Sequence, residues 1–222
     1  MIIGNGLIGS SFKDDENYII FASGVSNSNS NNINDFKREK ELIINTINNN
    51  ENLKFIYFSS ILVEVCDNAY YNHKLEMELL VKELSNDYLI FRIPQIIGKI
   101  GNKSNLINHL KNKILEGETV TVFENIDRAL VDIDDLVRIV DYCKDITTCD
   151  LIKLSSIEKI SVLDLVKIIG LSLDKEVFIE INKNKESINW DVDNSDIINE
   201  TLNKLGIESK NYTSKIITKY IN

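Results

Sequence analysis

Residues 2–9 read Ile-Ile-Gly-Asn-Gly-Leu-Ile-Gly, a short apolar run that opens into three glycines, Gly4, Gly6 and Gly9. The spacing Gly-x-Gly-x-x-Gly, after a strand and before a helix, is the fingerprint of a dinucleotide-binding turn. Glycine lets the backbone turn tightly and approach a pyrophosphate, whose charge is met by the N-terminus of the following helix. Taken alone, the motif is also compatible with an ordinary glycine turn.

Strands and helices alternate along the chain after these glycines. Continuous apolar runs predict strands, and apolar residues spaced three and four positions apart predict helices. The predicted strands cover residues 18–22, 53–58, 88–93, 119–123 and 129–133, and the predicted helices include residues 35–48, 69–84, 134–143 and 196–205. This alternation predicts an α/β fold, with a Rossmann-like parallel sheet that carries helices on both faces.

A tyrosine and a lysine four residues apart, Tyr70 and Lys74, lie in the predicted helix 69–84. The spacing places both side chains on one face of the helix. An ammonium beside a phenol lowers the pKa of the tyrosine, which can then exchange a proton with a substrate oxygen near neutral pH. As an isolated pattern, the pair is more often a surface tyrosine and a solvated lysine. Tyr71 is an adjacent candidate, but only Tyr70 has the four-residue spacing.

Two serines, Ser59 and Ser60, follow the predicted strand 53–58. Open parallel sheets bind ligands at the carboxyl ends of their strands. A hydroxyl at that edge can hydrogen-bond the same substrate oxygen that the tyrosine protonates. The alternative is a serine pair that satisfies its own turn.

The composition excludes several classes of partner. The 222 residues include 34 acidic and 25 basic side chains, which give a net charge of −9. Nucleic acids and anionic membranes bind to clustered positive charge, and the sequence has no such cluster. We expect a cytoplasmic protein, because we find neither a secretory signal nor an apolar run that could span a bilayer. No metal is expected, because the cysteines and histidines are not in metal-binding spacing: Cys66, Cys143, Cys149, His73 and His109.

The order of these motifs resembles one enzyme family. A glycine fingerprint, strand-end serines, Tyr-x-x-x-Lys and a strand closed by Arg-x-Pro follow one another as in the extended short-chain dehydrogenase/reductases. Within that family the chain looks most like the nucleotide-sugar epimerases, dehydratases and reductases. Three further segments agree: Phe-Ala-Ser-Gly at 21–24, Arg-Ile-Pro-Gln-Ile-Ile-Gly at 92–98 and Arg-Ala-Leu-Val-Asp-Ile-Asp-Asp at 128–135. The similarity covers nearly the whole chain.

The resemblance implies roles for the catalytic candidates. Tyr70 would be the acid/base, and Lys74 would tune Tyr70 and hold the nicotinamide ribose. Ser60 would orient the substrate oxygen, with Ser59 as the alternative one position away.

The resemblance also implies an NAD or NADP cofactor and a nucleotide-sugar substrate. Arg128 would bind the substrate diphosphate through its two-pronged guanidinium, unless it forms a surface ion pair. Gln95 is a second substrate-binding candidate. The cofactor-binding candidates are Gly4, Gly6, Leu7, Ile8, Gly9, Ala22, Ser23, Gly24, Tyr70 and Lys74.

The chain lacks two segments of the family pattern. Where the family has a second strand, a second helix and a third strand, only residues 10–17 separate Gly9 from the next strand. In NAD enzymes an acidic residue at the end of that second strand holds the adenosine ribose. No residue replaces it here, and no arginine stands there for the 2′-phosphate of NADP. We therefore expect an adenosine site that is smaller, rebuilt or lost.

The second missing segment lies between Ser60 and Tyr70, which only nine residues separate. The family has a longer loop here, at the mouth of the active site. Ile61 and Leu62 also stand where the nucleotide-sugar 4,6-dehydratases carry an Asp-Glu pair. Their identity argues against a dehydratase.

The resemblance implies an NAD(P)-dependent reductase of a keto-sugar nucleotide, acting at C4, with a role in the synthesis of surface polysaccharide precursors. The alternatives are a nucleotide-sugar epimerase and a degenerate Rossmann domain that binds a nucleotide or a protein partner without turnover. We expect residues 1–98 to form a truncated Rossmann-like core. Residues 99–222 would form a mixed region, with a C-terminal substrate lobe and elements that return to the core. The family also suggests a homodimer.

Overall fold

The computed structural model of the chain describes residues 1–99, 106–124, 126–183 and 192–221. The strands in these ranges are β1 (Ile2–Ile3), β2 (Tyr18–Phe21), β3 (Lys54–Ser60), β4 (Tyr88–Ile93), β5 (Gln95–Ile97), β6 (Val120–Phe123), β7 (Asp127–Asp132), β8 (Asp150–Lys153), β9 (Lys159–Ser161) and β10 (Ile179–Asn182). The α-helices are α1 (Ile33–Asn48), α2 (Ala69–Leu84), α3 (Leu106–Leu115), α4 (Ile133–Ile146), α5 (Val162–Ser172), α6 (Asp196–Leu205) and α7 (Tyr212–Ile221).

The main sheet has five parallel strands in the order β1-β2-β3-β4-β8. Its central strands β3 and β4 are apolar along nearly their whole length, because helices cover both faces of the sheet. The predicted Rossmann-like α/β fold is therefore confirmed.

Helices pack on the two faces of this sheet through two separate apolar cores. On one face, side chains of β2, β3 and β4 meet α1 and α2. The core members there are Ile19, Phe21, Ile43, Ile47, Phe55, Tyr57, Met77, Val81 and Ile90. On the other face, alternate residues of the same strands meet α4 and the C-terminal half of the chain. Strand alternation thus sends one set of side chains to each core.

Among the described strands, β1 lies at the edge of the main sheet and pairs with β2 alone, through Ile2 with Ile20 and Ile3 with Phe21. The doubly wound fold orders its strands 3-2-1-4-5-6, so the loss of strands 2 and 3 leaves strand 1 at the edge. The order of the observed sheet is therefore the one that the predicted truncation produces.

The turn after β1 differs from the expectation that the glycines open a helix. Only a 3₁₀ turn, Gly9–Ser11, follows them. Few residues remain before β2, and they must carry the chain back to the start of a parallel neighbour, which leaves no room for an α-helix. Gly4 has a φ of +114°, and a Cβ on it would lie 2.5 Å from the carbonyl oxygen of Ala22. The turn is thus built for close packing against β2.

The C-terminal region adds two small sheets, β5-β7-β9 and β6-β10. It also returns β8 to the main sheet, where Asp150–Lys153 pair with β4. Within the described ranges, none of the helices combines the length and the apolar character needed to cross a bilayer.

Candidate active site

The candidate residues gather at the carboxyl ends of β2 and β3. Ser23 and Gly24 follow β2, while Ser59 and Ser60 end β3. Helix α2 starts nearby and packs against β3, with Asn68 as its N-cap, which accepts a hydrogen bond from the backbone of Tyr71. This places the start of α2 at the sheet edge where parallel folds bind ligands.

Lys74 and Tyr70 lie in the interior, one turn apart on α2. Lys74 is 3% exposed and Tyr70 is 8% exposed. The Lys74 Nζ lies 5.9 Å from the centre of the Tyr70 ring and 5.0 Å from that of Tyr57. The pair is therefore not a surface tyrosine beside a solvated lysine, and the predicted shared helix face is confirmed.

A buried carboxylate, Glu39 of α1, holds the lysine. The Lys74 Nζ donates to Glu39 Oε1 at 3.0 Å and to the Tyr57 hydroxyl at 3.1 Å, and that hydroxyl donates to the same Oε1 at 2.7 Å. The other oxygen, Oε2, accepts from the Val25 amide at 2.6 Å and lies 3.1 Å from His73 Nε2. Because an ionised carboxylate only accepts, this His73 nitrogen carries its proton.

Glu39 is charged although it is fully buried. Burial opposes ionisation, but the hydrogen bond from His73, the charge of Lys74 and the remaining donors outweigh it and lower the pKa of Glu39 to about 2. Sequence reasoning missed this residue. A signal was present, because Glu39 stands three residues after Phe36 and four before Ile43. That spacing puts it on the apolar stripe of α1, where an acid has to be paired.

The expected lowering of the Tyr70 pKa is wrong for the protein without cofactor. Burial raises the pKa of Tyr70, and the neighbouring Tyr71 and Glu39 raise it further. Burial of the phenol is the largest of these causes, because it disfavours the charged phenolate. Tyr70 is consequently protonated at neutral pH.

The two serines at the end of β3 have different surroundings. Ser60 is half-buried and its Oγ accepts from the Leu62 amide, capping a 3₁₀ turn at Ile61–Glu64. Ser59 is buried, and among the described residues its Oγ has no hydrogen-bond partner. Successive residues of a strand face opposite sides, so the two hydroxyls point to different faces of the sheet. The assignment of Ser60 as the orienting residue stays a prediction.

Gly24 is the glycine that the lysine site requires. A Cβ on Gly24 would lie 2.7 Å from Lys74 Nζ and 2.9 Å from Glu39 Oε1. Beside it, the exposed guanidinium of Arg38 donates to the hydroxyl and the carbonyl of Ser23. The segment Ala22–Gly24 therefore lies directly against the charged groups of the site.

The glycine turn leaves room for part of a dinucleotide. A Cβ on Gly6 would meet no atom within 4 Å, whereas Gly4 and Gly9 face protein backbone. The open backbone at Gly6 fits a pyrophosphate. Leu7 instead packs toward Gly98, and Ile8 lies half-buried at the margin of the core.

The described residues lack the carboxylate that usually binds the adenosine half of a dinucleotide. Among the described residues, no strand lies beyond β1, so the carboxylate that would end a second strand has no counterpart. Asp15, which precedes β2, is half-buried at the opposite end of the sheet, beside the first residues of β1 and β2. The residues present thus fit the pyrophosphate and nicotinamide side of a cofactor better than its adenosine side.

Arg128 lies apart from surface acids. Its guanidinium donates to the carbonyl of Asp127, and among the described residues it forms no ion pair. Burial lowers the pKa of Arg128, although the nearby Tyr71 and Cys66 oppose this effect. Arg128 lines a cavity of 280 Å³ together with Lys113 and Thr121. Gln95, on β5, lies half-buried opposite Leu130 of β7.

A second buried ion pair fixes α2 to the sheet. Arg92 of β4 donates from Nε to Glu78 Oε1 at 2.9 Å and from Nη2 to Glu78 Oε2 at 2.6 Å. Its Nη1 donates to Glu64 in the 3₁₀ turn that follows Ser60. The arginine of the Arg-x-Pro segment therefore ties together the two elements that carry Ser60 and Tyr70.

The part of the chain that the structure describes contains no group of three or more His, Cys, Asp or Glu side chains arranged to hold a metal ion. The three cysteines are free thiols.

The fold is similar to solved structures of nucleotide-sugar enzymes. A dTDP-glucose 4,6-dehydratase from Bacillus anthracis, in complex with NAD, has a TM-score of 0.68 and 12% identity over 85% of this chain and 67% of that one. A UDP-glucuronic acid 4-epimerase from Bacillus cereus, with UDP-glucuronic acid and NAD, has a TM-score of 0.68 and 16% identity over 92% and 75%. RMD from Pseudomonas aeruginosa, with NADPH, has a TM-score of 0.69 and 13% identity over 91% and 80%.

No protein-family model and no curated protein matches the sequence. At such low identities the structural similarities establish the fold of the chain, and its chemistry has to be argued from its own residues.

Proposed function

We propose, from the premise that the chain has the fold of the extended short-chain dehydrogenase/reductases in a shortened form, that it is an NAD(P)-dependent enzyme acting on a nucleotide sugar. More narrowly, we propose a reductase of a keto-sugar nucleotide that acts at C4. The observation that carries this proposal is the buried pair of Tyr70 and Lys74 at the sheet edge where Ser60 ends β3.

The proposed chemistry is reduction of a carbonyl to a hydroxyl. A bound nicotinamide cofactor supplies the hydride. Tyr70, protonated because burial raises its pKa, would donate a proton to the carbonyl oxygen as the carbon is reduced. The Ser60 hydroxyl would hydrogen-bond that oxygen and fix its position, and Lys74 would hold the ribose of the cofactor. Holding the carbonyl in place at the sheet edge accounts for much of the expected rate gain.

The substrate side of the proposal rests on Arg128 and its cavity. A guanidinium offers parallel donors that suit the oxygens of a diphosphate. Lys113 lines the same cavity but is paired with Glu118 at 3.7 Å, so Arg128 is the side chain that the proposal assigns to the diphosphate of a nucleotide sugar. Gln95 would contribute a further polar contact.

An epimerase is the second candidate, and the similarity to the UDP-glucuronic acid 4-epimerase favours it. An epimerase keeps its cofactor bound and returns the hydride to the other face of the sugar, whereas a reductase releases oxidised cofactor at each turnover. The adenosine-binding side of the site is smaller than in the family, which favours release and exchange of the cofactor. We therefore prefer the reductase. We also infer a cytoplasmic location and a role in surface polysaccharide precursors from the family.

The first test is titration of the purified chain with NADH and NADPH, followed by fluorescence and calorimetry. We expect at least one of them to bind in the micromolar range, because the glycine turn and the Tyr70–Lys74 pair proposed to hold the pyrophosphate and nicotinamide side are both present. The preferred cofactor then sets the assay for keto-sugar nucleotides. Absence of binding of both up to millimolar concentration would remove the oxidoreductase proposal and favour the degenerate Rossmann domain.

The homodimer is proposed to form through α1 and α2. Leu79 of α2 is 66% exposed and Ile33 of α1 is 77% exposed, so apolar side chains stand on the outer faces of both helices. Sedimentation of the purified chain should give the mass of a dimer, and Leu79→Glu should shift it to that of a monomer. A wild-type chain that sediments as a monomer at micromolar concentration contradicts the proposal.

A further inference from the structure

We propose that Glu39 is a positioning residue of the site, which keeps Lys74 charged in the protein interior and holds its ammonium so that one N–H remains for the cofactor. The use of that N–H rests on the proposed function, whereas the pairing of the two charges can be tested without any cofactor.

The first support is the complete use of the Glu39 carboxylate. An ionised carboxylate has about four acceptor positions. Four donors from two elements and a loop fill them: Tyr57 and Lys74 at Oε1, and Val25 and His73 at Oε2. On the outer side of His73, Phe36 stacks on the imidazole with a ring separation of 4.4 Å. These contacts hold the Glu39 carboxylate in one position, and the carboxylate in turn fixes the position of the Lys74 ammonium.

The second support is the hydrogen-bond inventory of Lys74. An ammonium has three donors. Two are used by Glu39 and Tyr57, and the described residues provide no acceptor for the third. Gly24 has no side chain, and a Cβ there would lie 2.7 Å from Nζ, so the backbone of the segment after β2 lies directly beside this ammonium. A ribose hydroxyl is an acceptor of the right kind for it.

The third support is the balance of charge around Lys74. The titratable groups that face it are Glu39 from α1, Tyr57 from β3, and Tyr70, His73 and Glu78 from α2, and Glu78 is itself paired with Arg92. Burial lowers the pKa of Lys74, and the charge and hydrogen bond of Glu39 are the largest opposing effects. Without Glu39, the buried ammonium would lose its proton at a lower pH.

The test follows the protonation of Lys74 in the cofactor-free chain. The ¹³Cε resonance of Lys74, identified by its loss in Lys74→Met, is titrated in wild type, Glu39→Gln and Glu41→Gln. Glu41 is the matched control, because it is exposed on the same helix and, within the described ranges, its ion pair is with Lys37 alone. We expect Glu39→Gln to lower the titration midpoint of Lys74 by about one pH unit or more, a tenfold loss of proton affinity. Glu41→Gln should leave it unchanged.

A midpoint in Glu39→Gln within a few tenths of a unit of wild type overturns the inference. If Glu39→Gln folds poorly, the double variant Glu39→Gln/Lys74→Met provides the readout. It should have a higher Tm than Glu39→Gln alone, since it removes the uncompensated charge, and an equal or lower Tm contradicts the pairing.

Activity separates this inference from the proposed function. Once NAD(P)H and a substrate are available for the assay, the activity of Glu39→Gln should decline at a lower alkaline pH than the activity of wild type. The KM of Glu39→Gln for the cofactor should also change more than that of Glu41→Gln. If Glu39→Gln lowers the titration midpoint of Lys74 as expected but the wild-type chain binds no cofactor, the charge pair is upheld and the oxidoreductase proposal is rejected.

Discussion

Tyr70→Phe is expected to lower kcat by about 10² to 10⁴-fold while the chain stays folded. The substitution removes only the hydroxyl, and the ring remains in its buried place beside Tyr71 and 5.9 Å from the Lys74 ammonium. Reduction of a carbonyl needs a proton at the oxygen, and Tyr70 is the donor in the mechanism that we propose. Steady-state kinetics and circular dichroism of the purified variant measure the two parts of this prediction.

Tyr71→Phe is the matched control for Tyr70→Phe. Tyr71 is the next residue of the same helix and is also buried, but it lacks the spacing to Lys74. Its kcat should stay within a few-fold of wild type. Full activity in Tyr70→Phe, or an equal loss of kcat in the two variants, would contradict the assignment of Tyr70 as the proton donor.

Arg92→Met is expected to reduce the free energy of unfolding by about 3 to 5 kcal/mol. Arg92 is 9% exposed and Glu78 is 2% exposed, so the variant leaves the Glu78 carboxylate buried without its two charged hydrogen bonds. A single unpaired charge in the interior costs more than the ion pair itself contributes. Urea unfolding followed by circular dichroism measures the loss.

Two further variants control for the volume and charge changes in Arg92→Met. The double variant Arg92→Met/Glu78→Leu should recover part of the loss, because an apolar pair replaces the stranded carboxylate. Arg138→Met removes a half-exposed arginine whose partner Asp135 is half-buried but keeps a hydrogen bond from the Tyr212 hydroxyl, and it should cost at most about 1 kcal/mol. A loss in Arg92→Met no greater than in Arg138→Met would mean that Glu78 does not need its partner.

Long periodic segments were predictable from the sequence. The observed bounds of α2 (Ala69–Leu84) and α6 (Asp196–Leu205) coincide with the predicted helices, and β3 and β4 follow the predicted apolar runs closely. These elements have a core to cover, so their apolar spacing is strict. The same spacing predicted that Tyr70 and Lys74 share a face.

The features that could not be predicted depend on packing between segments that are distant in sequence. The helix expected after the glycines became a 3₁₀ turn, because the deletion left too little chain for one. Glu39 was missed because its partners come from β3, α2 and the segment after β2, which are far from it in sequence. The pKa of Tyr70 is raised mainly by burial, which depends on how α2 packs against distant segments, and Tyr71 and Glu39 raise it further.

The position of β8 has a consequence for how the protein folds as it is synthesised. Asp150–Lys153 pair with β4, whose Leu89 and Phe91 are fully buried in the finished sheet. Until the ribosome has synthesised α4 and β8, the last strand of the main sheet, one edge of β4 is unpaired and one face of the sheet is exposed. Residues 1–98 therefore do not make a complete folding unit, and the nascent chain depends on a late, long-range pairing to close its core.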